Sequence, residues 1–243
     1  MSIHSARARS ASARWVATNL IRWSRTHRRD FPWRHWRDPY KLLVAEILLQ
    51  QTRADSVAAF LPTFLQKYPA PISLSNVNSS DLALLLRPLG FAQQRAARLG
   101  ALGARLAAAH AMPTTVRELG TLPGVGSYTA GMVAAITSHS RVPAVDTNVA
   151  RLISRVFGLT PSHSEARKST NIWQKAAEIG QLVRDPSRVI WAMLDLSDEL
   201  CVARSPKCEA CPLRHQCLYH HESLKSRVDS AVNANGKRKA RLT

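Results

Sequence analysis

The sequence predicts an all-α fold, and three observations carry that prediction. Between about Trp15 and Leu218, apolar residues recur in blocks at helical spacing. Short Pro, Ser and Gly connections separate the blocks. No stretch sustains the two-residue alternation of a half-buried strand. In chain order, the first well-marked element follows Asp38-Pro39, an N-cap and a first-turn proline. It runs through Tyr40-Lys41-Leu42-Leu43-Val44-Ala45-Glu46-Ile47-Leu48-Leu49. The same periodicity places helices at Ser56–Lys67, Ser80–Arg87, Gln93–His110 and Thr114–Thr121. It continues at Ser127–Ser138, Thr147–Phe157, Glu165–Val183 and Ser187–Leu200. No internal repeat is visible.

A chain of 243 residues has room for one large domain or two small ones. Its 34 Lys and Arg against 16 Asp and Glu give a formal charge of +18, with an isoelectric point near 11.0. That balance favours a polyanionic partner. Duplex DNA fits better than a membrane, because no apolar run approaches the roughly 18–20 residues that span a bilayer. The first 29 residues hold seven Arg and no acid, with Ser and Ala between them. They read as a disordered basic arm on phosphates, with an organellar transit peptide as the alternative. The tail around Lys237, Arg238, Lys239 and Arg241 has the same basic composition.

All four cysteines lie in Cys201-x6-Cys208-x2-Cys211-x5-Cys217. Four thiolates in so short a loop surround one metal centre more readily than they form a disulfide framework. Zinc and an iron–sulfur cluster both satisfy four sulfurs, so spacing leaves the two open. Arg204, Lys207 and Arg214 add positive charge to the loop, which suits a phosphate contact as well as a purely structural clip. Such clusters assemble in a reducing compartment, which predicts a cytoplasmic, chromosome-associated protein.

Three further features bear on chemistry. Leu122-Pro123-Gly124-Val125-Gly126 joins two helical blocks, and Ser127 opens the second. Its glycines permit positive φ, and the free N–H groups of the next helix start can grip a phosphate without reading sequence. As a bare pattern it is also an ordinary helix connection. Glu46 sits among Leu42, Leu43, Val44, Ala45, Ile47, Leu48 and Leu49, in a helix apolar on nearly every side. Such a carboxylate is either satisfied by an arginine or desolvated with its pKa raised, as suits a general acid. Asp146 follows Val142-Pro143-Ala144-Val145 in N-cap position, where capping alone also explains it. Together, two carboxylates fit cleavage of a glycosidic bond, one near the leaving group and one near the developing positive sugar.

Taken in order, these motifs resemble the endonuclease III and MutY superfamily of helix-hairpin-helix DNA glycosylases. They are Ala45-Glu46-Ile47-Leu48-Leu49-Gln50-Gln51-Thr52, Leu122 through Gly131, Val145-Asp146-Thr147-Asn148-Val149 and the four cysteines. The likeness covers about Phe31 to Tyr219. It implies two helical domains, with a helix-hairpin-helix motif and a C-terminal 4Fe-4S cluster on Cys201, Cys208, Cys211 and Cys217. The expected organisation is a disordered arm over 1–14 and a hairpin domain over 38–140. A cluster domain from 15–37 plus 141–220 and a disordered tail over 221–243 complete it.

The resemblance also implies roles. Tyr128 stands where the bifunctional lyases carry a Schiff-base lysine, and a phenol makes no imine. A monofunctional, water-using glycosylase follows, acting as a monomer in base excision repair. Glu46 would protonate the leaving base or activate water, and Asp146 would stabilise the oxocarbenium-like sugar. A glycosylase must extrude its target nucleotide. Gln51 matches the residue that fills the gap and Phe91 matches the wedge; their bland readings are a solvated helix end and a core aromatic. Gln50, Leu122, Gly124, Val125, Gly126, Ser127, Arg204 and Lys207 are the remaining expected DNA contacts.

Two subfamilies fit. Gln50-Gln51-Thr52 and Phe31-Pro32-Trp33-Arg34 resemble adenine glycosylases that act opposite guanine or 8-oxoguanine. Those enzymes carry an extra C-terminal domain, whereas 26 residues follow Cys217, and they have Asp-Gly-Asn where Asp146-Thr147-Asn148 stands. Gly90-Phe91-Ala92-Gln93-Gln94-Arg95-Ala96 and Asp195-Leu196-Ser197 look more like thymine–guanine mismatch glycosylases. The expected substrate is therefore thymine or uracil opposite guanine, with adenine as the alternative. A non-catalytic iron–sulfur DNA-binding protein is the reading from another class.

Overall fold

A computed structural model describes residues 11–225, and within them the chain is helical with no strand. The outer parts of the expected basic arm and tail lie outside these residues. The chain divides into two compact units. One gathers the described residues up to Arg28 with Val145–Arg184 and those from Arg188 onward; the other is Arg29–Ala144 with Asp185–Ser187.

The second unit, the hairpin unit, is built on α2 (Pro39–Leu49), which follows α1 (Ala13–His27) of the other unit in chain order. Asp38 caps α2, its carboxylate accepting from Tyr40 N at 2.9 Å and Lys41 N at 3.3 Å, and Pro39 opens the first turn. Every residue from Leu42 to Leu48 is buried, so α2 is the core of this unit. Around it lie α3 (Ala54–Lys67), α4 (Pro71–Ser75), α5 (Ser79–Leu86), α6 (Ala92–Ala107), α7 (Val116–Leu119) and α8 (Ser127–Thr137). The sequence reading lacked α4, although Pro71 at its first turn was a start signal. Gly103 lets α6 press on α4, since a Cβ there would lie 2.5 Å from Leu74 Cβ.

The other unit, the cluster unit, contains α1 (Ala13–His27), α9 (Thr147–Phe157), α10 (Thr170–Gln181) and most of α11 (Pro186–Glu199). The apolar face of α9, Val149, Leu152, Ile153 and Val156, is buried, and α1 and α9 both pack on α10. The single helix expected over Glu165–Val183 is broken. A 3-10 turn at Ala166–Lys168 precedes α10 because Ser169, fully buried, bonds Ser162 N and Asn171 Oδ1, and Asn171 Nδ2 reaches Thr160 O at 2.8 Å. Such side-chain bonds compete with helical backbone bonds.

Boundaries also differ from the expected ones. Residues 29–37 belong to the hairpin unit, where Trp33 and Arg34 are buried and the Pro32–Arg34 turn packs on α2. Residues 141–144 join it too, because Gly131 brings α8 so near Pro143 O that a Cβ would stand 2.5 Å away. Ordered structure reaches into both expected tails. Ser12 caps α1 through Trp15 N at 3.1 Å, and 218–225 is helical.

Candidate active site and cluster loop

Glu46 occupies the core-facing middle of α2, 6% exposed, as an apolar helix interrupted by one carboxylate requires. Its helix ends at Leu49 with Gln50 as the C-cap, and the chain then turns through Gln51 at φ 56°. Phe91, at φ 50°, makes a similar turn into α6. Left-handed backbone is rare for residues other than glycine and costs of order 1 kcal/mol at each.

One buried side chain holds both turns. Arg95 is 2% exposed. Its Nε donates to Gly90 O at 2.9 Å, Nη1 to Ile47 O at 3.2 Å and Leu48 O at 2.5 Å, and Nη2 to Gln50 O at 2.6 Å and to Thr52 Oγ1. Burial pulls its pKa below the ordinary arginine value, with Arg98 adding repulsion. Its charge is met by the carbonyls at the C-terminal end of α2, where a cation is favoured. Thr52 Oγ1 also donates to Leu89 O at 3.3 Å, tying the same two turns again.

The hairpin joins this network. Gln50 Nε2 donates to Gly124 O at 3.0 Å while its Oε1 accepts from Arg98 Nη1 at 2.9 Å. Gln50, expected as a DNA contact, therefore has its amide committed within the protein. Gly124 stands at φ 77° with Arg98 Cβ 3.3 Å from where its own Cβ would be, so any side chain would be both strained and crowded. Leu122 and Val125 are buried and anchor the turn. No side chain caps α8, and a Cβ at Gly126 would meet nothing within 4 Å, which leaves the start of α8 open to a phosphate. Ser127 is exposed and Tyr128 half-buried there. Gln51 is exposed, and Phe91 is 55% exposed, which excludes a core aromatic.

In the cluster unit, Asp146 is the N-cap of α9. Its Oδ1 accepts from Val149 N at 2.7 Å and its Oδ2 from Asn148 Nδ2 at 3.0 Å. Two arginines one turn apart on α9 hold the cysteine loop. Arg151 Nε donates to Cys201 O at 2.8 Å and Nη2 to Ser197 O at 3.1 Å. Arg155 reaches Val202 O at 2.7 Å, Ala203 O at 2.9 Å and Cys201 Sγ at 3.5 Å, and lies over the Tyr219 ring. The sequence reading missed both; their only signal was an i, i+4 cation pair opposite the apolar face of α9.

Cys201, Cys208, Cys211 and Cys217 form no disulfide and line one cavity with Leu152, Arg155 and Leu200. Burial pushes the Cys211 thiol up to about 12, and the Cys217 thiol also lies high, chiefly through burial. Four thiols turned into one apolar pocket suit a metal cluster, whose positive charge keeps such sulfurs ionised. Arg204 and Lys207 on the same loop are exposed.

A glycine turn that leaves a helix start open to a phosphate, together with four thiols lining one cavity, defines a metal-binding protein suited to nucleic acid. The family comparisons agree. A model of the HhH-GPD superfamily of base excision DNA repair proteins matches residues 44–176, and one of the iron-sulfur binding domain of endonuclease III matches residues 201–217. The chain belongs to the HhH-GPD superfamily of base excision DNA repair proteins. It is a DNA glycosylase that acts on DNA and has a 4Fe-4S cluster as cofactor, which decides between the two metal centres that spacing left open.

The thymine-DNA glycosylase of Aeropyrum pernix is 35% identical over 83% of this chain and 92% of its own length. The adenine DNA glycosylase of Mycobacterium tuberculosis is 34% identical over 84% of this chain and 67% of its own length. Among solved structures, a thermostable thymine-DNA glycosylase superposes with a TM-score of 0.76 at 32% identity, over 86% of this chain and 97% of that one. Among the described residues no helix is long and apolar enough to cross a membrane.

Proposed function

We propose that this glycosylase releases thymine or uracil opposite guanine from duplex DNA, as a monomer, without strong lyase activity. The observation that carries the reading is the likeness to a solved thymine-DNA glycosylase at 32% identity and a TM-score of 0.76. In the reaction, the bond from the base nitrogen to C1′ breaks with its electron pair going to the base. Water adds to C1′, and a proton goes to the departing base. Glu46 carries that proton or takes one from the water, and its burial in α2 supports the role. Asp146 stabilises the positive sugar, and Tyr128, unable to form an imine, leaves water as the nucleophile.

Leu122, Gly124, Val125, Gly126 and Ser127 hold a backbone phosphate, while Arg204 and Lys207 contact the backbone from the cluster loop. Gln50 serves by holding the hairpin; Gln51 and Phe91 enter the stack. Cys201, Cys208, Cys211 and Cys217 ligate the cluster, which supplies loop structure and local charge when bound. The expected location is cytoplasmic and chromosome-associated.

Duplexes carrying T·G, U·G, A·G and A·8-oxoguanine, cleaved with and without alkali, test the reading. Alkali-dependent breaks at T·G and U·G are expected. Enzymatic strand cleavage keeping pace with base release would sink the water mechanism. A second reading, adenine release, has support from Gln50-Gln51-Thr52, from Phe31-Pro32-Trp33-Arg34 and from the 34% identity to the mycobacterial adenine glycosylase. Breaks confined to A·G and A·8-oxoguanine would establish it instead. Glu46→Gln should lower base release by about 10²–10⁴-fold with DNA binding retained; unchanged activity would favour a binding-only protein.

A further inference from the structure

A guanidinium has five N–H donors, and Arg95 makes five bonds, two to the last-turn carbonyls of α2 and the rest to Gln50, Thr52 and Gly90 beside the two turns. Gln50 and Thr52, which it binds, flank Gln51 in the chain; Gly90, which it also binds, immediately precedes Phe91. Both turns stand at positive φ on residues other than glycine. Such conformations persist only where the surroundings over-determine them. Backbone bonds close each turn separately, Thr52 N to Leu49 O at 3.2 Å and Gly90 N to Arg87 O at 3.1 Å, whereas the side-chain bonds that join one turn to the other run through Arg95 and through Thr52 Oγ1, itself an acceptor from Arg95.

We propose that Arg95 is a positioning residue for nucleotide extrusion: it latches the Gln51 and Phe91 turns to each other, so that both side chains enter the duplex as one preset wedge. The inference rests on the reading of Gln51 and Phe91 as the residues that fill the vacated stack. A flexible wedge would lose entropy on every insertion, and the latch removes that cost before DNA arrives. Lysine cannot replace it, having three donors on a single nitrogen where two turns must be bridged at once.

The test uses the full chain with its cluster, as native protein and as Arg95→Lys, Thr52→Val, Gln51→Ala/Phe91→Ala and the triple variant. Melting temperature and iron content report folding. A 2-aminopurine beside the target base reports extrusion, single-turnover assays report base release, and an undamaged duplex reports general binding. Arg95→Lys should lower extrusion and base release on the order of tenfold to a hundredfold, with binding to undamaged DNA within about twofold, since phosphate contacts dominate it. The triple variant should be no worse than Gln51→Ala/Phe91→Ala, because the latch acts only through those side chains.

Native extrusion in a folded Arg95→Lys overturns the proposal, as does a triple variant in which the losses simply multiply. Should Arg95→Lys fail to fold, Thr52→Val decides. A loss of extrusion on the order of threefold upholds the latch and an unchanged signal overturns it. Failure of the underlying reading looks different, because Gln51→Ala/Phe91→Ala would then itself extrude normally.

Discussion

Two irregular segments of this protein are held by arginines, and they are held differently. The turns around Gln51 and Phe91 close on Arg95, a buried cation whose partners are carbonyls and one hydroxyl. The loop over 201–217 is tied from one side by Arg151 and Arg155, both partly exposed, and it turns four thiols into one cavity, Cys217 buried and the other three partly so. Carbonyl dipoles satisfy a guanidinium without help. Thiols whose pKa burial has raised become ligands only when a metal centre takes their protons. The first segment is thus complete as protein, whereas the second is complete only with iron.

Removing iron should break the comparison most visibly. A chelator, or Cys211→Ser, should expose the 201–217 loop to proteases and cost several kcal/mol in the cluster unit. Protection of α2 and α6 in hydrogen exchange should persist; collapse of both units together would show that the hairpin unit also depends on the metal. Arg155→Met should be next, at about 1–3 kcal/mol, because it removes charge-assisted bonds to the carbonyls of Val202 and Ala203. Iron retention during denaturant titration reads this out, and retention equal to native would mean the thiolates alone hold the loop.

Smaller effects sharpen the same contrast. Asp146→Ala should cost about 1 kcal/mol by removing the cap of the helix that carries Arg151 and Arg155, whereas Asp146→Asn keeps a cap and should leave melting unchanged. A comparable fall in base release in both variants, with melting lowered in the alanine alone, separates chemistry from capping. Gly124→Ala should cost about 1–2 kcal/mol, since it places a side chain at φ 77° against Arg98. Smallest, Arg204→Ala should reduce the log–log salt slope of DNA binding by about one, as a single phosphate contact does. An unaltered slope would remove Arg204 from the interface.

Much of the fold was legible because it is encoded over short range. Asp38-Pro39 started α2, Asp146 started α9, and the bounds of α9 came out as expected. Glu46 stood out because a lone carboxylate in an apolar helix has nowhere exposed to go. The break before α10 was not legible, since Ser169 and Asn171 act through Ser162 and Thr160, several residues back. The bond from Gln50 to Gly124 was not legible either, because it spans 74 positions.

The amino-acid order alone determined most of the longer helices, the caps at Asp38 and Asp146, the carboxylate in the apolar helix and a four-thiol loop, all of which depend on neighbours within a few residues. Tertiary structure decided where the units divide, that Arg95 bridges two left-handed turns, and that Arg151 and Arg155 carry the cysteine loop. The physical reason is that these arginines bind backbone carbonyls 45 to 50 positions away, as between Arg95 and Gln50 or Arg151 and Cys201. Every residue bears a carbonyl, so no side-chain pattern announces which one a distant guanidinium will meet.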